Sequence, residues 1–276
     1  MMNKFLQASL CTALVMCLPL NAQAHRAWLL PSATVLSSDN AWVSVDAAVS
    51  NDIFHADHAP LRVYGITITA PDGTNLTPQN SIAGKFRSVF DLQLPQKGTY
   101  KIALASSGIM ATWKTPEGER RMWPGRGEKA NPADLEKNIP DDAQELQVSQ
   151  FSRRMETFVT SGTPDNKVLQ ATKHGLELVP LTHPNDLFAG EVAKFQFLMD
   201  GKPAEGVNVT VIPGGMRYRN GQAAIELQTD KKGELSVTWP QAGMYWLSAN
   251  YRDDNAKKPA TARSGSYTAT FEVLPE

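Results

Sequence analysis

Leu92-Gln93-Leu94-Pro95-Gln96-Lys97-Gly98-Thr99-Tyr100-Lys101-Ile102-Ala103-Leu104 has a partner far along the chain in Val237-Thr238-Trp239-Pro240-Gln241-Ala242-Gly243-Met244-Tyr245-Trp246-Leu247-Ser248-Ala249. Both stretches read as an alternating strand, a Pro-x-x-Gly turn and a second strand that opens at tyrosine. Proline ends the first strand by removing a ladder donor, and glycine permits the positive φ that such turns use. The tyrosine can bury its ring while its hydroxyl bonds a nearby backbone group, as at the corners of sandwich folds. One such unit in each half predicts two β-sandwich domains in tandem.

Neighbouring segments agree. Trp42–Val49, Tyr64–Ala70, Ala193–Met199 and Val207–Val211 alternate polar and apolar residues, and turn signals such as Pro71-Asp72-Gly73 and Asp200-Gly201-Lys202-Pro203 separate them. Ser161-Gly162-Thr163-Pro164-Asp165-Asn166 marks a link. The expected division is a first sandwich over residues 25–165, with a polar insertion near 114–147, and a second over 172–276. Inside the insertion only Asn131 to Lys137 reads as helical, with Asn131 as cap and Pro132 in the first turn. The 276 residues are 42% hydrophobic and 20% charged, ordinary for a globular chain. The net charge of −1 gives no reason to expect nucleic acid.

Residues 1–24 join a positive charge at Lys4, an apolar run from Phe5 to Leu20 and an Ala22-Gln23-Ala24 ending, the three parts of a secretory signal. Cleavage after Ala24 is expected, with residence in the periplasm and no membrane span afterwards. Both cysteines, Cys11 and Cys17, leave with the signal, so the mature chain relies on its apolar cores and not on disulfides.

That cleavage makes His25 the first residue. A free α-amine and the imidazole Nδ1 of the same residue close a chelate ring on one ion, and nitrogen ligands suit Cu, Ni, Zn and Co. Asn51-Asp52-Ile53-Phe54-His55-Ala56-Asp57-His58 places two imidazoles and two carboxylates in eight residues. Histidines three apart share a face in a turn, whereas in a strand they point to opposite sides, so this reading requires a loop. The expected site is therefore His25, His55 and His58, with Asp52 or Asp57 as a fourth ligand or as an acceptor orienting an imidazole N–H. Imidazole ligation makes affinity fall as pH drops through the histidine range near about 6.5. His174 and His183 flank the strand that opens the second half and are weaker candidates.

The mature chain has no cysteine nucleophile, no Gly-x-Ser-x-Gly elbow, no His-Glu-x-x-His helix and no phosphate-cradling glycine loop. Binding is expected, not turnover. One rival is a sandwich pair that docks a protein or glycan through the Trp113–Lys129 insertion, using Trp113, Trp123, Arg120 and Arg126. Another is a copper oxidase or oxygenase built on the N-terminal histidine.

The opening His25-Arg26-Ala27-Trp28-Leu29-Leu30-Pro31 resembles the His-x-x-Trp-x-x-Pro start of a family of exported bacterial proteins. Gly175-Leu176-Glu177-Leu178-Val179-Pro180, with Pro184, Gly190 and Asp200-Gly201-Lys202-Pro203, resembles that family's domain junction. It is a domain-of-unknown-function family often labelled a periplasmic nickel/cobalt uptake component. The resemblance implies a periplasmic accessory protein that binds a divalent transition metal or its chelate and serves a membrane transporter component, with His25 as the residue carried over. Gly201 to Val207 is also similar to prealbumin-like repeats of exported proteins, which are structural. The immunoglobulin/prealbumin-like sandwich is thus the expected fold for each half.

Overall fold

Both corners form as their residues dictate. In the computed structural model, which describes residues 25–125, 128 and 131–276, Tyr100 and Tyr245 are fully buried. The Tyr100 hydroxyl donates to the Gln96 carbonyl at 2.9 Å and accepts the Gln96 N–H at 2.8 Å. Tyr245 repeats this with Gln241 at 2.7 and 3.3 Å. Gly98 and Gly243 hold φ of +127° and +140°, where a side chain is strained. The expected leader, and Arg126 and Lys129 of the insertion, lie outside the described residues.

The described residues are all-β apart from short helical turns, and their strands form sandwiches. A five-stranded sheet is built from Arg26–Pro31, Ala41–Ser50, Arg87–Leu94 and Gln79–Ala83 in that order, with Ala59–Pro60 beside Ala41–Ser50. A four-stranded sheet holds Leu176–Pro180, Val192–Met199, Lys202–Pro203 and Glu234–Thr238. Between them runs a ten-stranded sheet shared by both halves. Gln144–Ser161 and Ala262–Val273 join its two parts by parallel pairing, from Ser149 opposite Ala262 to Thr157 opposite Thr270. This union is absent from the tandem reading, which has no local signal for it.

Two cores follow from which face of the shared sheet each side chain takes. Successive residues of a strand point to opposite faces. Phe158 accordingly enters the core of Phe195, Phe197, Trp239, Tyr267 and Phe271, while its neighbour Val159 enters the core of Leu29, Val45, Phe90, Tyr100 and Ile102. The same alternation turns Leu247 inward and leaves Trp246 on the outer face. There it meets Trp28, Ala48, Ile53 and Ile212 in a small apolar seam. The Trp246 Nε1–H donates to the Ala27 carbonyl at 3.0 Å, fixing the N-terminal strand against the second half.

The insertion is folded where it is described. Arg120–Trp123 pairs back on Gly98–Lys114. The Asn131 side chain accepts the Ala133 N–H at 3.2 Å, capping the 3-10 turn Pro132–Asp134, which leads into the helix Leu135–Asn138. Leu135 then packs with Ile109, Ala111, Trp113, Val148 and Ala260.

Candidate metal site

The histidine segment is a loop, as shared ligation demands. Residues 51–58 leave the Ala41–Ser50 strand, and Phe54 takes φ of +59° to turn the chain. A relay holds the loop to the first strand. The buried Trp28 donates from Nε1 to the Ser50 hydroxyl at 2.7 Å, and Ser50 donates to the Asp52 carbonyl at 2.6 Å. Phe54 packs edge-on to Trp28 with ring centroids 5.7 Å apart. Arg26 donates to the Asn51 carbonyl at 2.9 Å, stitching the strand's first residue to the same loop.

This scaffold brings His25 and His58 together. Their rings stack with centroids 3.7 Å apart and planes 15° from parallel, both exposed at the protein's edge. His55 points elsewhere. Its Nε2 lies 2.6 Å from Arg217 Nη1, a donor from the loop after Asn208–Pro213. Accepting from a guanidinium occupies the Nε2 lone pair that a metal would use. Asp57 closes its own loop, taking the Asn51 backbone N–H at 2.9 Å and the Asn51 amide at 3.3 Å. Asp52 gives its carbonyl to the loop's bonds.

The five residues expected at the site therefore do not converge. Among the described residues no three His, Cys, Asp or Glu side chains are placed to hold a metal ion. The physical reason is competition: a hydrogen bond claims His55, and Asp57 is spent on turn geometry. What remains is a pair of imidazoles on His25 and His58. Those two rings are nitrogen donors of the kind that ligate Cu, Ni, Zn and Co. Arg217 lies 162 residues from His55, so no local pattern marks it as a partner.

The second-half histidines have other roles. The Asn185 backbone N–H donates to His183 Nδ1 at 3.1 Å, which places the ring proton on Nε2, 3.1 Å from the Asp165 carbonyl. Thr99 Oγ1 is also 3.1 Å from Nε2. His183 thus ties the link at Asp165 to the second half. Burial lowers its pKa from the usual value, opposed by the Asp165 carbonyl bond and by the Asp186 and Asp165 charges. A histidine that resists protonation in the folded state supports folding fully above the unfolded pKa of about 6.5, and that support is lost as pH falls below it. The urea midpoint is expected to drop between pH 7 and pH 5.5, and His183→Gln to shrink that drop. His174 is exposed, and its carbonyl accepts from Arg154 at 3.2 Å.

Packing takes up much of the tryptophan surface named in the rival reading. Trp113 is 8% exposed and sits in the small core, and Trp123 packs against it. Alternation of Ile109, Ala111 and Trp113 along one strand face is the signal that marks it as core, hidden by the charged residues that follow. Arg120 remains exposed.

Similar solved structures include the D0-D1 domain of intimin, 11% identical over 89% of this chain and 97% of that one, with a TM-score of 0.23. A segment of two fibronectin type-III domains from chicken tenascin is 12% identical over 91% and 100%, with a TM-score of 0.22. A DUF3823 family protein from Bacteroides uniformis is 12% identical over 91% and 100%, with a TM-score of 0.23. No curated protein sequence matches the chain. The family described as "Domain of unknown function (DUF4198)" matches residues 22–253, most of the chain, and the protein belongs to that family.

Proposed function

We propose that the mature protein binds a divalent transition metal through the α-amine and Nδ1 of His25 and the imidazole of His58. The observation that carries this reading is the 3.7 Å approach of the two rings from segments separated by a whole strand pair. Stacked rings bind no common ion face to face, because an imidazole ligates in its own plane. Both side chains are exposed, so one ring turns about its Cβ–Cγ bond at little cost. Three nitrogen donors suit Cu(II) best among the divalent ions, with Ni(II), Zn(II) and Co(II) below it. His55 joins only when Arg217 releases it, and Asp52 or Asp57 completes the shell only after its loop rearranges.

The role is binding and delivery, not catalysis. Export through the leader puts the protein in the periplasm, where it hands its metal or metal chelate to a transporter component of the membrane. Among the described residues no helix is long and apolar enough to cross a membrane. The test is calorimetric titration of protein that begins at His25 with Cu(II), Ni(II), Zn(II) and Co(II). His58→Ala is expected to weaken Cu(II) binding at least tenfold. Equal affinity in the variant removes His58 from the site.

A further inference from the structure

Gly98–Lys114 is longer than the strands that border it on one side. Its other side pairs with Gln144–Ser161 in unbroken register from Gly98 opposite Ser161 to Thr112 opposite Gln147. The first side carries Ile66–Thr69, whose near end is Ile66 opposite Leu104, and Arg120–Trp123, whose near end is Trp123 opposite Ala111. Both run antiparallel to it. Between them, residues 105–110 border no strand on this side among the described residues. Six residues of extended chain span about 20 Å.

The ladder decides which main-chain groups face that opening. In an antiparallel pair, alternate residues turn both N–H and C=O to the same neighbour. The Thr115 N–H donates to the Glu119 carbonyl at 2.9 Å, so the odd-numbered residues face the side of Arg120–Trp123. The far edge agrees. The Thr160 N–H donates to the Thr34 carbonyl at 2.7 Å, away from Gly98–Lys114, which leaves odd residues of Gln144–Ser161 to pair with even ones of Gly98–Lys114. Ala105, Ser107 and Ile109 therefore aim their N–H and C=O groups into the opening, where none bonds to another described residue. Natural sheets guard such an edge with lysine, proline or a bulge. Residues 105–110 read Ala-Ser-Ser-Gly-Ile-Met, and their register has no bulge.

The sheet face beside the opening carries a side-chain preference. Phe151 stands opposite Gly108 and Arg153 opposite Ser106, so these four positions share one face. A Cβ at Gly108 would lie 3.1 Å from two atoms of the Phe151 ring, so the ring reaches across the glycine toward the opening. The Arg153 guanidinium carbon lies 5.2 Å from the centroid of that ring. Arg153 is exposed and pairs with no carboxylate among the described residues.

We infer that this opening takes an extended segment of another polypeptide as an added antiparallel strand, with an apolar side chain opposite Gly108 and an acidic one two residues later, opposite Ser106. Both are non-hydrogen-bonded positions, where the Cα atoms approach to about 4.5 Å and side chains of the two strands meet. The apolar residue rests on Phe151, and the acidic one meets the charge of Arg153. Main-chain bonds to Ala105, Ser107 and Ile109 supply affinity, and the two side chains select the segment.

The test uses metal-stripped protein, so its outcome is independent of the histidine pair. The probe is the fluorescein-labelled peptide Val-Thr-Phe-Thr-Glu-Thr, followed by anisotropy. Saturable one-to-one binding is expected. N-methylation of the threonine between Phe and Glu removes the donor to the Ser107 carbonyl and should weaken binding at least tenfold. N-methylation of Glu, whose N–H faces away, should change it less than threefold. Ser107→Pro deletes a donor on the open side, keeps the ladder to Gln144–Ser161, and should also cost at least tenfold. Arg153→Glu should reverse the preference for the Glu peptide over its Lys counterpart, a readout that a general loss of folding does not give. Absence of saturable binding, equal effects of the two N-methylations, or an unchanged preference in Arg153→Glu overturns the proposal. So does a dimer of the protein alone that Ser107→Pro dissociates, since the opening is then filled by a second copy.

Discussion

Glu156→Ala is expected to lower the melting temperature by on the order of 10 °C. Glu156 is 3% exposed in the middle of the shared sheet, with Ala103 on one side and Ala269 on the other. Its carboxylate accepts from Arg154 at 3.1 Å and from the fully buried Tyr267 hydroxyl at 2.7 Å. Burial, and then the neighbouring Glu156 charge, push the Tyr267 phenol well above its usual pKa, so it stays a neutral donor. Removing one partner of a buried pair leaves the other charge without compensation, at a cost of about 3–5 kcal/mol. In a chain of this size each kcal/mol moves the melting temperature by roughly 2–4 °C. Glu156→Gln keeps an acceptor for Tyr267 and should lose about half as much. A melt of Glu156→Ala within about 2 °C of the parent contradicts the buried pair.

The largest functional effect is expected from one added residue ahead of His25. A primary amine donates a lone pair to a metal, whereas the same nitrogen in a peptide bond does not at neutral pH. The extension therefore opens the five-atom approach of amine and Nδ1 to one ion while leaving both imidazoles in place. Cu(II) affinity should fall at least a hundredfold, which is about 2.8 kcal/mol. Affinities within threefold of each other place the site on the other histidines. A protein that binds no metal in either form removes the metal reading.

Much of the fold is legible because its signals are local. The Pro-x-x-Gly-x-Tyr corners each span six residues, and their tyrosines bond Gln96 and Gln241 as that spacing dictates. The Asn131 cap is equally local. The strand Gln144–Ser161 is not legible in the same way. Its last six residues, Glu156–Ser161, are all buried, because both faces are covered where the sheets overlap. Alternation vanishes there, and Glu, Thr and Ser stand where apolar residues are expected. Its parallel partner Ala262–Val273 is more than a hundred residues distant and leaves no trace in local pattern.

The candidate site divides along the same line. His55-x-x-His58 in a polar loop is a local feature, and the loop is present. Which of the two faces His25 depends on Trp28, Ser50 and Asp52 on one side and on Arg217 on the other. The Arg217 contact comes from the second half, which the Trp246–Ala27 bond holds against the first.

Pulsed EPR of the Cu(II)-loaded protein that begins at His25 counts the imidazoles bound to the ion. Two imidazoles are expected in the parent protein and one in His58→Ala. A spectrum unchanged by His58→Ala, or one without coordinated imidazole, contradicts a metal site shared by His25 and His58.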